Sequence, residues 1–154
     1  MIEKIVSGGQ TGADRAALDV AIKLGIPHGG WIPKGRMTEA GPLPDRYLMR
    51  EMPTADYAKR TEQNVLESDG TLIVSHGTLN GGSALTETFA EEHGRPHLHL
   101  DMDRLPVSEA EDALKVWIEN NAIRVLNVAG PRESRDPDIY SVTAAVLETL
   151  FREE

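Results

Sequence analysis

The sequence predicts an α/β fold with a mostly parallel sheet and helices on both faces. Three observations carry this prediction. Short apolar strands alternate with segments of helical periodicity in the order βαβ…αβαβαβα. The strands are brief β-branched runs, as strands covered on both faces are. Glycine-rich turns follow three of the strands and open helices. At 154 residues the chain is read as a single domain over 1–154, and a chain of roughly 150 residues buries about 68–70% of its unfolded surface.

Each element has a local reason. Ile2 to Ser7 (IEKIVS) is β-branched and stops at Gly8-Gly9. Thr11 to Leu24 places Ala13, Ala17, Leu18, Ala21 and Leu24 at helical spacing and ends at Gly25. His28 to Ile32 reads as one short strand, and the Gly- and Pro-rich stretch Pro33 to Pro44 as an ordered loop. Tyr47 to Met52 reads as a further short strand. Thr54 is placed as N-cap of a helix running to about Glu67. Thr71 to Ser75 is a buried strand, followed by the loop His76 to Gly82 and a helix from Ser83 to His93, ended by Gly94. His97 to Asp101 is the next strand. Ser108 and Glu111 have the spacing of a capping box for a helix to about Asn121. Val125 to Ala129 is the last strand, and Asp136-Pro137 opens the final helix with Pro at its first position. Val142, Val146 and Leu150 give that helix an apolar face, suited to the core or to an interface.

Composition removes several classes of function. The chain has no cysteine, so a thiol nucleophile, a Cys-ligated zinc and a disulfide scaffold are excluded. Sixteen Lys and Arg against 25 Asp and Glu give a net charge of -9, which argues against nucleic-acid binding. No segment approaches the roughly 18–20 apolar residues of a membrane span. Met1 to Gly8 lacks the basic and apolar regions of a signal peptide, so a cytoplasmic protein with no membrane partner is expected.

In a parallel α/β sheet ligands sit at the carboxyl ends of the strands. Ser7-Gly8-Gly9-Gln10-Thr11-Gly12 follows the first strand. Ser75-His76-Gly77-Thr78-Leu79-Asn80-Gly81-Gly82-Ser83, with Thr86 one turn on, closes a central strand, and Gly130-Pro131-Arg132-Glu133-Ser134 closes the last. Glycine permits close backbone approach, and a helix N-terminus offers free N–H groups to an anion. The first string alone serves equally as a tight turn, and it is neither a P-loop nor a G-x-G-x-x-G motif. Two such loops together point to phosphate or oxyanion binding. Arg15, Lys34, Arg36, Arg60, Arg132 and Arg135 cluster near the same positions. Arg15 and Arg135 read as surface charge, and Arg132 as a phosphate-binding guanidinium.

Other candidates carry less. His97 and His99 share a strand face but lack a third ligand, and Asp101-x-Asp103 reads as a solvated loop, so no protein-ligated metal is expected. His76 at a strand end suits a ligand contact or a general acid. Ser7 and Ser83 have no His–Asp partners in sequence. Trp117 reads as packing, and Trp31 as packing or a ring stacked on a ligand.

Longer strings then carry a resemblance. Ser7-Gly8-Gly9-Gln10-Thr11-Gly12-Ala13-Asp14-Arg15-Ala16-Ala17-Leu18-Asp19 resembles the N-terminal signature of the molybdenum cofactor carrier family. Gly30-Trp31-Ile32-Pro33-Lys34-Gly35-Arg36, Arg60-Thr61 with Asn64-Val65, Ser68-Asp69, Asn80-Gly81-Gly82-Ser83 and Leu126 to Ser134 fit the same family. The resemblance covers almost the whole chain. It implies a Rossmann-like three-layer fold, in a circularly permuted branch of a superfamily that includes the lysine-decarboxylase-like phosphoribohydrolases. These enzymes share an Arg nine residues before the Asp of a Ser-Asp strand start, then Pro-Gly-Gly-x-Gly-Thr-x-x-Glu. Arg60 matches that Arg, standing nine before Asp69. The glycine motif departs: Ala84 and Leu85 replace Gly and Thr, Thr88 stands at the catalytic Glu position, and Glu87 lies one residue early. One helical residue is a rotation of about 100°, so Glu87 faces elsewhere unless the register changes. Gly77 to Leu79 also lengthens the loop.

The resemblance implies a binding protein for the molybdenum cofactor. The ligand-holding residues would be Ser7, Gly8, Gly9, Gln10, Thr11, Gly12, Lys34, Arg36, Arg60, Ser75, His76, Asn80, Gly81, Gly82, Ser83, Thr86, Gly130, Pro131, Arg132 and Ser134. The alternative is a nucleoside monophosphate phosphoribohydrolase, with Arg60 on the ribose phosphate and Glu87, Asp14 or Glu133 as acid/base. A nucleotide-derived ligand sensor is a third reading. A homodimer or homotetramer is expected from the family. The acidic residues fall mostly on helices (Glu62, Glu67, Glu91, Glu92, Glu109, Glu111, Glu119 and Glu153), leaving a confined positive site for a small phosphorylated or oxyanion ligand.

Overall fold

The computed structural model describes residues 1–152, so Glu153 lies outside the described residues. The elements are β1 (Lys4–Val6), α1 (Ala13–Leu24), β2 (His28–Gly29), β3 (Trp31–Ile32), β4 (Met37–Thr38), β5 (Gly41–Pro42), β6 (Arg50–Glu51), α2 (Tyr57–Leu66), β7 (Gly70–Ser75), α3 (Gly81–Glu92), β8 (His97–Asp101), α4 (Val107–Asn121), β9 (Val125–Ala129) and α5 (Ile139–Arg152). Five strands form one sheet in the order β2-β1-β9-β7-β8, every pair parallel. Helices α1, α5 and α4 pack side by side, and α2 packs with α3, giving the three-layer α/β arrangement. The connections from β1 and from β7 leave toward opposite sheet edges, so the crevice opens at the carboxyl ends of β1, β9 and β7. Among the described residues no helix is long and apolar enough to cross a membrane.

The core is the expected apolar set. Ile5, Leu72, Val74, Leu126 and Val128 on the strands meet Ala17, Leu114, Ile139 and Leu147 on the helices. Val146 and Leu150 are buried within this core and Val142 packs on it, so that face of α5 is internal. Trp117 also packs against it. A smaller cluster of Leu18, Ile32, Leu43 and Tyr47 anchors the region between β2 and α2. Asp69, ahead of β7, accepts the N–H groups of Arg124 and Val125 at 3.0 and 2.8 Å, which sets β7 against β9. It is a brace between strands, buried in no site.

Several local expectations are corrected. The strand expected over His28 to Ile32 breaks at Gly30, whose φ is +122°. A Cβ there would lie 2.2 Å from the Ser7 carbonyl oxygen, so the chain turns out of the sheet at a position that only glycine fits. His28–Gly29 stays on β1, and Trp31–Ile32 pairs with Arg50–Glu51. Only those two residues of the expected strand Tyr47 to Met52 are extended and paired. The loop Pro33 to Pro44 contains the hairpin of β4 and β5. Asp56, not Thr54, caps α2: its carboxylate accepts from Ala58 and Lys59, while Thr54 Oγ1 accepts from Asp56 N–H. Helix α4 begins at Val107 after an extended Pro106, so Ser108 already lies in the first turn and makes no cap. Pro137 falls in a turn just ahead of α5.

A candidate anion-binding cleft

A cleft of about 880 Å³, counting its open mouth, lies at the crevice. Gly8, Gln10 and Asp14 form one wall and Asn127 to Arg132 the floor. Asn80, Gly82, Ser83, Leu85 and Thr86 close a second side, and Tyr57, Ala58, Arg60, Thr61 and Asn64 of α2 a third, with Arg135 at the rim.

The end of α3 in this cleft is built to be open. Asn80 stands at the N-cap with no side-chain cap bond. Gly81, Gly82 and Ser83 carry first-turn N–H groups that have no intrahelical partner. Gly82 has open space where a Cβ would sit, so a ligand can approach the backbone directly. The helix dipole adds partial positive charge at the same point. Thr86 Oγ1 turns back to the Gly82 carbonyl at 2.8 Å and stiffens the turn.

Three guanidinium groups converge on the same cleft. Arg60 is 8% exposed and donates through Nη1 to the Gly8 carbonyl. A Cβ on Gly8 would lie 2.3 Å from that nitrogen, so glycine there is what lets Arg60 enter. Burial lowers the Arg60 pKa, and the nearby Asp14 charge raises it in opposition. Arg132 and Arg135 are exposed and, among the described residues, their side chains make no hydrogen bond or ion pair. Arg135, read from sequence as surface charge, is exposed and lies at the rim of the cleft.

Asp14 is the one carboxylate among the lining residues. Burial raises its pKa to about 6, opposed by Arg60, the Gln10 amide and Arg15. Its Oδ2 accepts from Gln10 N–H at 3.2 Å. Asn64 holds the α2 wall in place: its Oδ1 accepts from Trp31 N–H at 2.8 Å, and its Nδ2 donates to the carbonyls of Ser7 and Trp31 at 3.3 and 3.1 Å.

The two glycine loops therefore differ. Of the first, only Gly8 and Gln10 reach the cleft. Ser7 Oγ donates to the Asp14 carbonyl at 2.9 Å, and Gly9 packs against Ile32 and Leu43. Gly12 lies against the Pro131 carbonyl, which also accepts Ala13 N–H at 3.4 Å and so closes the α1 N-terminus. Thr11 is held by Glu39 and by Glu133 N–H. The second loop contributes Asn80, Gly82, Ser83 and Thr86, and β9 contributes Gly130, Pro131 and Arg132. Gly81 opens α3 beside Arg135, with a φ of +51°.

Other expected site residues lie outside the lining. Lys34 is exposed. Arg36 turns inward to the carbonyls of Leu43, Pro44 and Tyr47 and braces the hairpin. Ser75 Oγ bonds the Gly77 carbonyl and His99 Nε2. His76 Nδ1 pairs with Asp136 Oδ2 at 2.6 Å, which raises the His76 pKa. Ser134 bonds Glu39. Trp31 lies under the Arg50 guanidinium at 4.2 Å and donates to Glu67, so its ring is engaged within the chain. Thr88 is exposed and donates to the Ala84 carbonyl. Glu87 groups with Glu91 and His97, their ligand atoms within 4.8 Å of one another, away from the cleft. Sequence reasoning left Tyr57, Leu85 and Asn127 unassigned. Asn127 alone carried a signal, as a polar residue in an apolar strand.

Comparisons with known proteins agree with this architecture. The circularly permutated YpsA SLOG family matches residues 5–151. A crystal structure of a "putative molybdenum carrier protein" from Syntrophus aciditrophicus SB is 59% identical, with 97% of this chain and 95% of that chain covered and a TM-score of 0.97. No curated protein matches the sequence.

Proposed function

The chain belongs to the circularly permuted YpsA SLOG family, and from that premise we propose that it is a molybdenum carrier that holds its cargo through phosphate or oxyanion groups. One observation carries the ligand chemistry: the open α3 N-terminus and the guanidiniums of Arg60, Arg132 and Arg135 meet in one cleft. The name of the 59% identical structure supports molybdenum as the cargo. The chain offers no thiolate, so a molybdenum bound as its pterin cofactor would keep its own dithiolene ligands. The protein would grip the phosphate and oxo groups. Leu85, Ala129 and Pro131 supply apolar surface for a ring.

Native mass spectrometry of protein purified without added ligand tests this reading and the expected homodimer or homotetramer together. A retained phosphorylated or oxometal mass, lost in R132A, is the expected result. Failure of molybdenum cofactor, molybdate and a nucleotide panel to bind in equilibrium titration would sink the reading.

A second reading is favoured by one group. Asp14 places a carboxyl whose pKa burial raises to about 6 beside Arg60, where Thr88 and Glu87 supply none. Phosphoribohydrolase-like chemistry would then use Asp14 as acid. Release of free base from nucleoside monophosphates, abolished in D14N and R60A, is the measurement. No turnover across the panel removes it.

A further inference from the structure

The hairpin of β4 and β5 carries Glu39 at its tip, and its carboxylate is seated among donors from two strand-end loops. Thr11 Oγ1 donates to Oε2. Ser134 N–H donates to the same oxygen at 3.1 Å, and Ser134 Oγ donates to Oε1 at 2.5 Å. The Glu39 N–H itself donates to the Gln10 side-chain carbonyl at 2.9 Å. Burial works against the charge, but the Ser134 and Thr11 hydrogen bonds and the Arg132 guanidinium outweigh it and hold Glu39 below its ordinary value.

Two hydroxyls, a backbone amide and a nearby guanidinium are the donor set of an oxyanion site, and a carboxylate already fills it. This place adjoins the cleft, since Gln10 and Arg132 line the cleft while Thr11 and Glu133-Ser134 follow them in the chain. Glu39 is exposed, so its carboxylate can move into water without being stranded in the interior. The hairpin is short, two residues per strand; Arg36 braces its base, while Glu39 ties its tip to the two loops.

Resting on the reading of the cleft as an oxyanion-holding site, we propose that Thr11, Ser134 and Arg132 form a second oxyanion subsite, filled in the free protein by the chain's own Glu39. The ligand then carries two anionic groups. One lies at the α3 N-terminus, and the other displaces Glu39 and releases the hairpin. Arg132 faces both places and couples them.

The test is calorimetric titration of orthophosphate, pyrophosphate and molybdate into the wild-type protein and E39A, with hydrogen exchange of residues 37–42 followed in parallel. Removing an internal competitor held by charge-assisted hydrogen bonds should tighten pyrophosphate binding about tenfold or more in E39A. Orthophosphate at the α3 end should change little. Adding S134A to E39A should cancel the gain. Pyrophosphate should speed hydrogen exchange across the hairpin of the wild-type protein, an outcome that needs no variant to fold. Molybdate added after orthophosphate identifies an oxometal as the second anion if E39A binds it more tightly, and a phosphate if only pyrophosphate gains. Equal or weaker pyrophosphate affinity in E39A, or unchanged hairpin exchange, overturns the subsite. If orthophosphate still binds and R135A weakens it, the cleft reading survives that failure. If no probe binds either protein, both fail.

Discussion

Replacing Asp14 by Asn should stabilise the protein at neutral pH and leave it unchanged in acid. Asp14 is 8% exposed, and its pKa stands at about 6 against an ordinary 3.8, with burial as the main cause and Arg60 opposing it. The folded protein therefore keeps this proton over a pH range in which the unfolded chain has released it. The sign follows from linkage. Below the unfolded value both states are protonated and the group contributes nothing. Between 3.8 and about 6 stability falls as pH rises, and above about 6 the full loss persists. The gap between the two values converts to about 3 kcal/mol at pH 7. Asn carries no charge and escapes that loss. Urea unfolding of both proteins across pH isolates the group, because every other titration cancels in the difference. D14N minus wild type should be near zero at about pH 3 and rise to about 3 kcal/mol at about pH 7.5. A difference that stays flat with pH, or a less stable D14N at neutral pH, would refute the reasoning. The same ionised carboxylate repels a bound anion, so D14N should also bind phosphate more tightly at neutral pH.

Four further outcomes are expected. G30A should cost on the order of 4 kcal/mol in urea unfolding, because a Cβ at φ +122° meets the Ser7 carbonyl at 2.2 Å; a loss below about 1 kcal/mol contradicts the turn. N64A should cost about 2–4 kcal/mol by thermal or urea unfolding, since it strands the backbone groups of Trp31 and Ser7. R132A and R135A should each weaken anion binding about tenfold while shifting stability by under about 0.5 kcal/mol, the mark of exposed cations that serve a ligand. The His76 resonance should titrate above its ordinary 6.5 in the wild-type protein and fall back in D136N. The pair's contribution to stability is present below 6.5 and is lost as pH rises through the raised value, so D136N should flatten that loss.

The cleft differs chemically from its first-loop neighbour. The donors of the first glycine loop are already used: Gln10 N–H by Asp14 and Thr11 Oγ1 by Glu39. The α1 N-terminus is closed by the Pro131 carbonyl. The α3 N-terminus meets no such internal anion and faces three guanidiniums. A long glycine signature thus marks packing of β1 against β9 as much as ligand contact. The shorter Asn80-Gly81-Gly82-Ser83 string marks the place where a ligand can approach.

By itself the sequence determined the α/β class, the parallel strands, the strand-end location of the cleft and the family. These follow from information that is local along the chain: period, turn residues and unbroken strings such as Ser7 to Asp19. Arg60, Asn80, Gly82, Ser83 and Arg132, which the sequence had grouped, do line one cleft, because a residue just after a parallel strand or on an opening helix turn faces the crevice whatever the strand order. Only the tertiary structure decided the rest. Whether Gly30 continues a strand depends on the Ser7 carbonyl 23 positions away in the chain. Whether Asp14 is solvated or buried depends on α2 bringing Arg60 across it. Lys34 and Arg36 sit in a family string yet leave the cleft, because the hairpin turns one outward and draws the other onto backbone carbonyls. Glu39 showed no periodicity or motif, and the hydrogen bonds to its carboxylate come from two loops distant in sequence. Side-chain direction and the partners that set a pKa are properties of contacts between segments distant in sequence, and a one-dimensional pattern does not contain them.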